Sequence, residues 1–131
     1  MYYSCDVGKF YDRKTGLLSM ENFDYEDLFN TTFPMNKAER IQTFASASSH
    51  AMTLCAVDLD KNGNPLKWKV ENSWGPTTGV AGHLVMTDKW FDEYTFRLVV
   101  QKKYVPAATL KLLEQKPTLL PAWDPLFKGE E

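Results

Sequence analysis

His50 and Asn72 are the two residues of this 131-residue chain whose types and settings could carry acid–base chemistry together. His50 follows a small polar run, residues 46–49, and opens an apolar stretch; Asn72 closes a second stretch just before Ser73-Trp74-Gly75. An imidazole titrates closest to neutral pH of all side chains. An asparagine carbonyl that accepts one ring N–H fixes both its orientation and its tautomer. Trp74 can cover such a bond and exclude water from it, which strengthens it. By themselves these residues leave a second reading open: a structural histidine at a strand end and an asparagine that caps a turn. The two cysteines, Cys5 and Cys55, sit in apolar, strand-like stretches and read as buried, inert thiols. They are too few for a disulfide framework and point to a reducing, cytoplasmic compartment. His50, His83, Cys5 and Cys55 match no zinc-ligand spacing, so neither a metal nor a cofactor is expected.

For His50 and Asn72 to meet, the two stretches must pair as a hairpin. Residues 49–59 are apolar on both parities, which predicts a strand buried on both faces. Asn62-Gly63 then supplies a tight turn. From 66 to 72, Lys67, Lys69 and Glu71 alternate with Leu66, Trp68 and Val70. One face is therefore wet and the other dry, and Asn72 shares the dry parity. Antiparallel pairing brings the outer ends of the hairpin together, and with them His50 and Asn72.

The remaining elements follow from the same rules. Residues 1–7 read as a short strand that begins directly in apolar residues, as in a chain that starts inside a domain. Residues 8–19 read as loop, with Gly16 at a turn. A short helix is predicted within 22–30, and Asn36 with Glu39 forms a capping box for a second helix reaching Phe44. Residues 73–82 form a glycine-bearing loop. A strand over 83–87, an amphipathic turn over 88–94 anchored by Trp90 and Phe91, and a strand over 96–101 come next. Pro106 opens a helix to 115. Pro117, Pro121, Pro125 and Gly129 keep the tail extended, pinned by Trp123 and Phe127. About five strands and three or four short helices, joined mainly by hairpins, give an α+β fold around an antiparallel, barrel-like sheet. It occupies residues 1–115, with residues 116–131 as a tail.

Composition bounds the partners. Hydrophobic residues make up 44% and charged residues 24%, a globular profile, and the net charge of -2 offers no field to draw in nucleic acid. Lys67, Lys69, Lys102 and Lys103 are spread among strands and read as solvated faces. No apolar run approaches the roughly 20 residues needed to span a membrane.

The order of motifs adds to this reading. Ser49-His50-Ala51-Met52-Thr53, followed by Trp68-Lys69-Val70-Glu71-Asn72-Ser73-Trp74-Gly75, resembles the His and Asn segments of papain-like cysteine peptidases. The match is closest to the bleomycin hydrolase and aminopeptidase C group. Cys5-Asp6-Val7-Gly8-Lys9, Met35-Asn36-Lys37-Ala38-Glu39-Arg40, Met86-Thr87-Asp88 with Trp90-Phe91, and Leu120-Pro121-Ala122-Trp123-Asp124-Pro125 carry the narrower resemblance. It implies the sheet lobe of the papain-like fold, with His50 as general base and acid, Asn72 as its orienting partner and Trp74 as the shield. The implied reaction is thiolate attack on a peptide substrate through an acyl-enzyme. The resemblance also implies a C-terminal tail lying in the cleft, so that the carboxylate of Glu131 meets the substrate's free amine, and a hexamer in the whole-length family. From Leu126 to Glu131 this sequence departs from the family's small apolar residues.

The family's Cys-Trp motif and the glutamine preceding it do not occur in this sequence, and Cys5 matches a non-catalytic position. The chain is thus expected to lack the helical Cys-bearing lobe, to be inactive alone, and to self-associate or bind that lobe through uncovered apolar surface. A non-catalytic remnant acting as a binding or assembly module is the alternative.

Overall fold

The alternating run that ends at Asn72 becomes the central strand of a seven-stranded sheet. The computed structural model describes residues 1–127. Its strands are β1 (Tyr2–Cys5), β2 (Tyr11–Asp12), β3 (Leu17–Leu18), β4 (His50–Leu59), β5 (Pro65–Glu71), β6 (His83–Thr87) and β7 (Thr95–Val99). Its helices are α1 (Tyr25–Phe29), α2 (Lys37–Gln42), α3 (Asp88–Tyr94) and α4 (Ala107–Leu112). The strand order is β2-β3-β6-β5-β4-β1-β7, which leaves β2 and β7 as open edges: a half-barrel rather than a closed one. Every pairing is antiparallel except β3 with β6, which run parallel.

The central hairpin forms as its residues dictate. Asp60 closes the turn: its carboxylate accepts the backbone N–H groups of Asn62 and Asn64. Gly63 takes the left-handed φ of 86° that the turn requires. In α2, the Asn36 side chain accepts the Glu39 N–H while the Glu39 carboxylate accepts the Asn36 N–H, the reciprocal cap expected from the sequence. Two cations of α2 tie it to α3 and the start of β7. Lys37 donates to the carbonyls of Asp92 and Thr95, and Arg40 pairs with Glu93.

The core lies on one face of the sheet. It gathers Tyr3 and Cys5 of β1, Met52 and Leu54 of β4, Val70 of β5, and Leu84 and Met86 of β6 beneath Trp90 and Tyr94 of α3. Fully burying side chains of this size is worth about 1.5–3 kcal/mol each. Trp90 is buried with its indole N–H satisfied by the Lys9 carbonyl at 2.8 Å, so its polar atom costs little. Trp68 stacks on Phe91 at 4.8 Å and donates to Asp88, which locks α3 onto β5.

The structure corrects several expectations. β4 is buried on one face only: Ala51, Cys55, Val57 and Leu59 are exposed, because a single layer packs on this sheet among the described residues. The stretch read as loop over 8–19 contains β2 and β3. Two-residue strands are too short to show a period, and their pairing depends on the distant β6. Trp123 does not pin the tail; it is 79% exposed. The nearby 3-10 turn Pro125–Phe127 instead lies against α2. No helix among the described residues is long and apolar enough to cross a membrane.

Candidate active site

His50 begins β4 and Asn72 follows the last residue of β5. The register of the two strands is regular here, with Thr53 opposite Glu71 and Leu54 opposite Val70. Continued by two residues, it sets Asn72 across from Met52 and Trp74 across from His50. With a side-chain period of two, His50, Met52 and Leu54 share the core face with Val70 and Asn72. His50 and Asn72 are then diagonal neighbours, a separation that long side chains bridge.

The bridge is made: His50 Nε2 lies 2.8 Å from Asn72 Oδ1. The same Oδ1 accepts the backbone N–H of Ser73 at 2.8 Å. That second bond decides the chemistry of the first. A backbone N–H can only donate, so the asparagine atom facing it is the carbonyl oxygen, and an oxygen of this kind can only accept. His50 Nε2 must therefore carry the proton, which leaves Nδ1 as the nitrogen able to take one up. Asn72 itself is held from its backbone, whose N–H donates to the Gly82 carbonyl at 3.0 Å. It is only 9% exposed, and its Nδ2 has no hydrogen-bond partner.

Trp74 lies over the pair, its ring centroid 4.8 Å from that of His50 at an interplanar angle of 32°. Gly75 turns the chain immediately afterwards with φ of 91°, a conformation that glycine adopts without strain. Behind Trp74 stands Tyr11 of β2, 6.0 Å away and buried. No local pattern singles out Tyr11, because it reaches the site only through the β2–β3–β6 pairing. The outer side of Trp74 remains 43% exposed, so the site is covered on one side and open on the other.

Among the described residues neither cysteine thiol is hydrogen-bonded to His50 or Asn72. Cys5 is the cross-strand partner of His50, but it is fully buried. Burial pushes its thiol up to about 12, the neighbouring Asp6 charge adds to that shift, and a hydrogen bond with Tyr3 only partly offsets it. Cys55, expected to be buried, is exposed, with its thiol 3.3 Å from the Thr53 carbonyl. His83 donates through Nδ1 to the Ala81 carbonyl within its own turn. Among the described residues no group of three or more His, Cys, Asp or Glu side chains is placed to hold a metal ion. Glu131 lies outside the described residues. A cavity of about 600 Å³, walled by Phe10, Phe23, Tyr25, Phe33 and Tyr94 among others, includes none of His50, Asn72 or Trp74; hydrogen-bond geometry rather than concavity marks the chemical site.

The model of the Peptidase C1-like family matches residues 1–127. Bleomycin hydrolase of Rattus norvegicus is 48% identical over 129 residues, covering 96% of this chain and 28% of that protein. Aminopeptidase C of Lactococcus lactis subsp. lactis is 43% identical over 126 residues, with 96% of this chain and 29% of that protein covered. The crystal structure of PepW from Lactobacillus rhamnosis superposes with a TM-score of 0.87 at 45% identity, over 95% of this chain and 28% of the other. The chain thus spans under a third of the length of the relatives it matches. With a half-barrel sheet, a hydrogen-bonded His–Asn pair under a tryptophan and this level of identity, the chain belongs to the Peptidase C1-like family of cysteine peptidases.

Proposed function

We propose that this chain is the C-terminal portion of a cysteine aminopeptidase and supplies its general base and the residue that orients it. The observation that carries the reading is the 2.8 Å contact between His50 Nε2 and Asn72 Oδ1, with the tautomer set by the Ser73 N–H. A cysteine on a separate lobe would give its thiol proton to His50 Nδ1. The resulting thiolate attacks the carbonyl carbon of a peptide's first amide bond. His50 then returns the proton to the leaving amine, and an acyl-enzyme remains. Water attacks that ester-like carbonyl as His50 takes its proton, which frees the N-terminal residue and restores the thiol. Asn72 keeps the ring pointed through both halves of the cycle, and Trp74 keeps water from the bond that holds it.

The tail belongs to the same proposal. In the whole enzyme the tail would be directed to the cleft, where the carboxylate of Glu131, which lies outside the described residues, would meet the substrate's free amine. In an enzyme joining this chain to a cysteine-bearing lobe, deletion of residues 127–131 shifts cleavage toward internal peptide bonds; an unchanged preference for free N-termini refutes this role.

The central reading is tested by incubating the 131-residue chain with an aminoacyl-coumarin, with and without a thiol-alkylating agent. No hydrolysis by the chain alone, and alkylation-sensitive hydrolysis once a cysteine-bearing lobe is joined to it, is the expected result. Thiol-sensitive hydrolysis by the chain alone would make Cys5 or Cys55 the nucleophile and overturn the account.

A further inference from the structure

One residue of the Cys5-Asp6-Val7-Gly8 stretch is not explained by the fold or by the His–Asn pair. Asp6 is only 7% exposed, and among the described residues no cation pairs with its carboxylate. An ionised carboxylate is costly to bury and persists where its oxygens accept hydrogen bonds. Here the donors come from the lead-in to β4. The Ser46 hydroxyl donates to Asp6 Oδ2 at 2.7 Å, and the Ser49 hydroxyl sits 3.5 Å from Oδ1. Both ends of the irregular run 46–49 therefore face one side chain. The backbone of the same run is held at 46 by the Arg40 carbonyl and at 49 by the Cys5 carbonyl, 3.0 Å from the Ser49 N–H. His50 is the next residue, and its cross-strand partner is Cys5, the residue before Asp6.

We infer that Asp6 is a positioning residue for His50. Its buried carboxylate tethers the serine run so that β4 begins with the imidazole within reach of Asn72 Oδ1. The inference rests on the reading of His50 and Asn72 as the catalytic pair. The geometry of this pair then depends on an acid that is hydrogen-bonded to neither member and lies outside their hairpin. Asp6 acts through acceptor geometry, so an asparagine, which keeps one carbonyl oxygen for Ser46, replaces it and an alanine does not.

The test is proton NMR of the 131-residue chain, following the exchange of the His50 Nε2–H with solvent against the backbone amides of Val70 and Leu84 as core references. Asp6→Ala is expected to speed His50 exchange about tenfold with the reference amides unchanged, and Asp6→Asn to stay within about threefold of wild type, as for loss and retention of one hydrogen-bonded tether. Unchanged His50 exchange in a folded Asp6→Ala chain overturns the inference, and so does an Asp6→Asn chain that behaves like Asp6→Ala. If Asp6→Ala does not fold, Ser46→Ala, which removes the 2.7 Å bond alone, decides. Selective acceleration at His50 supports the tether, and exchange equal to wild type overturns it. Asn72→Ala separates the two levels of argument. If it leaves His50 exchange unaltered, the His–Asn pair itself fails; if it speeds exchange while the Asp6 and Ser46 variants do not, only the tether fails.

Discussion

Replacing Asn72 with alanine removes one oxygen that accepts two hydrogen bonds, each of 2.8 Å. The His50 Nε2–H and the Ser73 N–H both lose their acceptor, while nothing is lost at Nδ2, which has no partner. A buried donor left unsatisfied costs about 1–3 kcal/mol. Both bonds here are only part-buried, which keeps each near the lower end and the pair at about 2 kcal/mol. Urea denaturation of the 131-residue chain reads this directly as a lower midpoint at unchanged slope. Asn72→Asp retains the acceptor oxygen and gives up no hydrogen-bonded donor, so it recovers most of the loss at neutral pH. In an enzyme that joins this chain to a cysteine-bearing lobe, the base survives in Asn72→Ala but is poorly aimed. The turnover number then falls by tens to thousands-fold, about 1.4–4 kcal/mol of barrier, with little change in KM. His50→Ala removes nearly all turnover. Wild-type turnover in Asn72→Ala would refute the orienting role. Wild-type stability in that variant would refute the hydrogen-bond argument even if turnover fell.

The two thiols are expected to differ sharply toward iodoacetamide under native conditions: peptide mapping finds exposed Cys55 modified and buried Cys5 untouched, and comparable labelling would contradict the burial. The native state holds the Cys5 proton up to about 12, whereas an exposed thiol releases it from about 9, so above that value the unfolded chain binds fewer protons. Stability is therefore fully present below pH 9 and falls as pH rises toward 12, a decline that denaturant curves at stepped pH measure and that Cys5→Ala lessens. Gly79→Ala places a Cβ 2.2 Å from the His83 carbonyl oxygen at φ of +60°, and costs at least about 2 kcal/mol. Gly8→Ala meets nothing within 4 Å and stays within about 0.5 kcal/mol of wild type, so equal effects of the two would refute the packing argument. Exposed Leu112, Leu113, Leu119 and Trp123, with the bare outer face of β4, predict self-association at high concentration; a monodisperse monomer by light scattering would count against it.

The sequence by itself determined the features that local chemistry controls. Alternation from Leu66 to Asn72 set the inward direction of Asn72, Asn62-Gly63 set the hairpin, and Asn36 with Glu39 set the start of α2. The strand over 83–87 and the helix over 88–94 fall at β6 and α3 as read, because Thr87 caps the helix and Trp90 and Tyr94 repeat on its buried face. Together these made the meeting of His50 and Asn72 legible before any coordinates. Only the tertiary structure decided what depends on distant neighbours. The apolar run of β4 looked buried on both faces, yet a run of side chains does not reveal whether a second layer covers it. β2 and β3 exist because β6 lies beside them, so no signal in residues 8–19 announces them. Tyr11 backs Trp74 through that same pairing, and Trp123 points to solvent although its motif suggested an anchor. The tautomer of His50 required knowing that the Ser73 N–H shares Asn72 Oδ1. Periodicity and turn residues act within a few positions of the chain, whereas proton placement and burial are set by atoms that only folding brings within about 3–4 Å of one another.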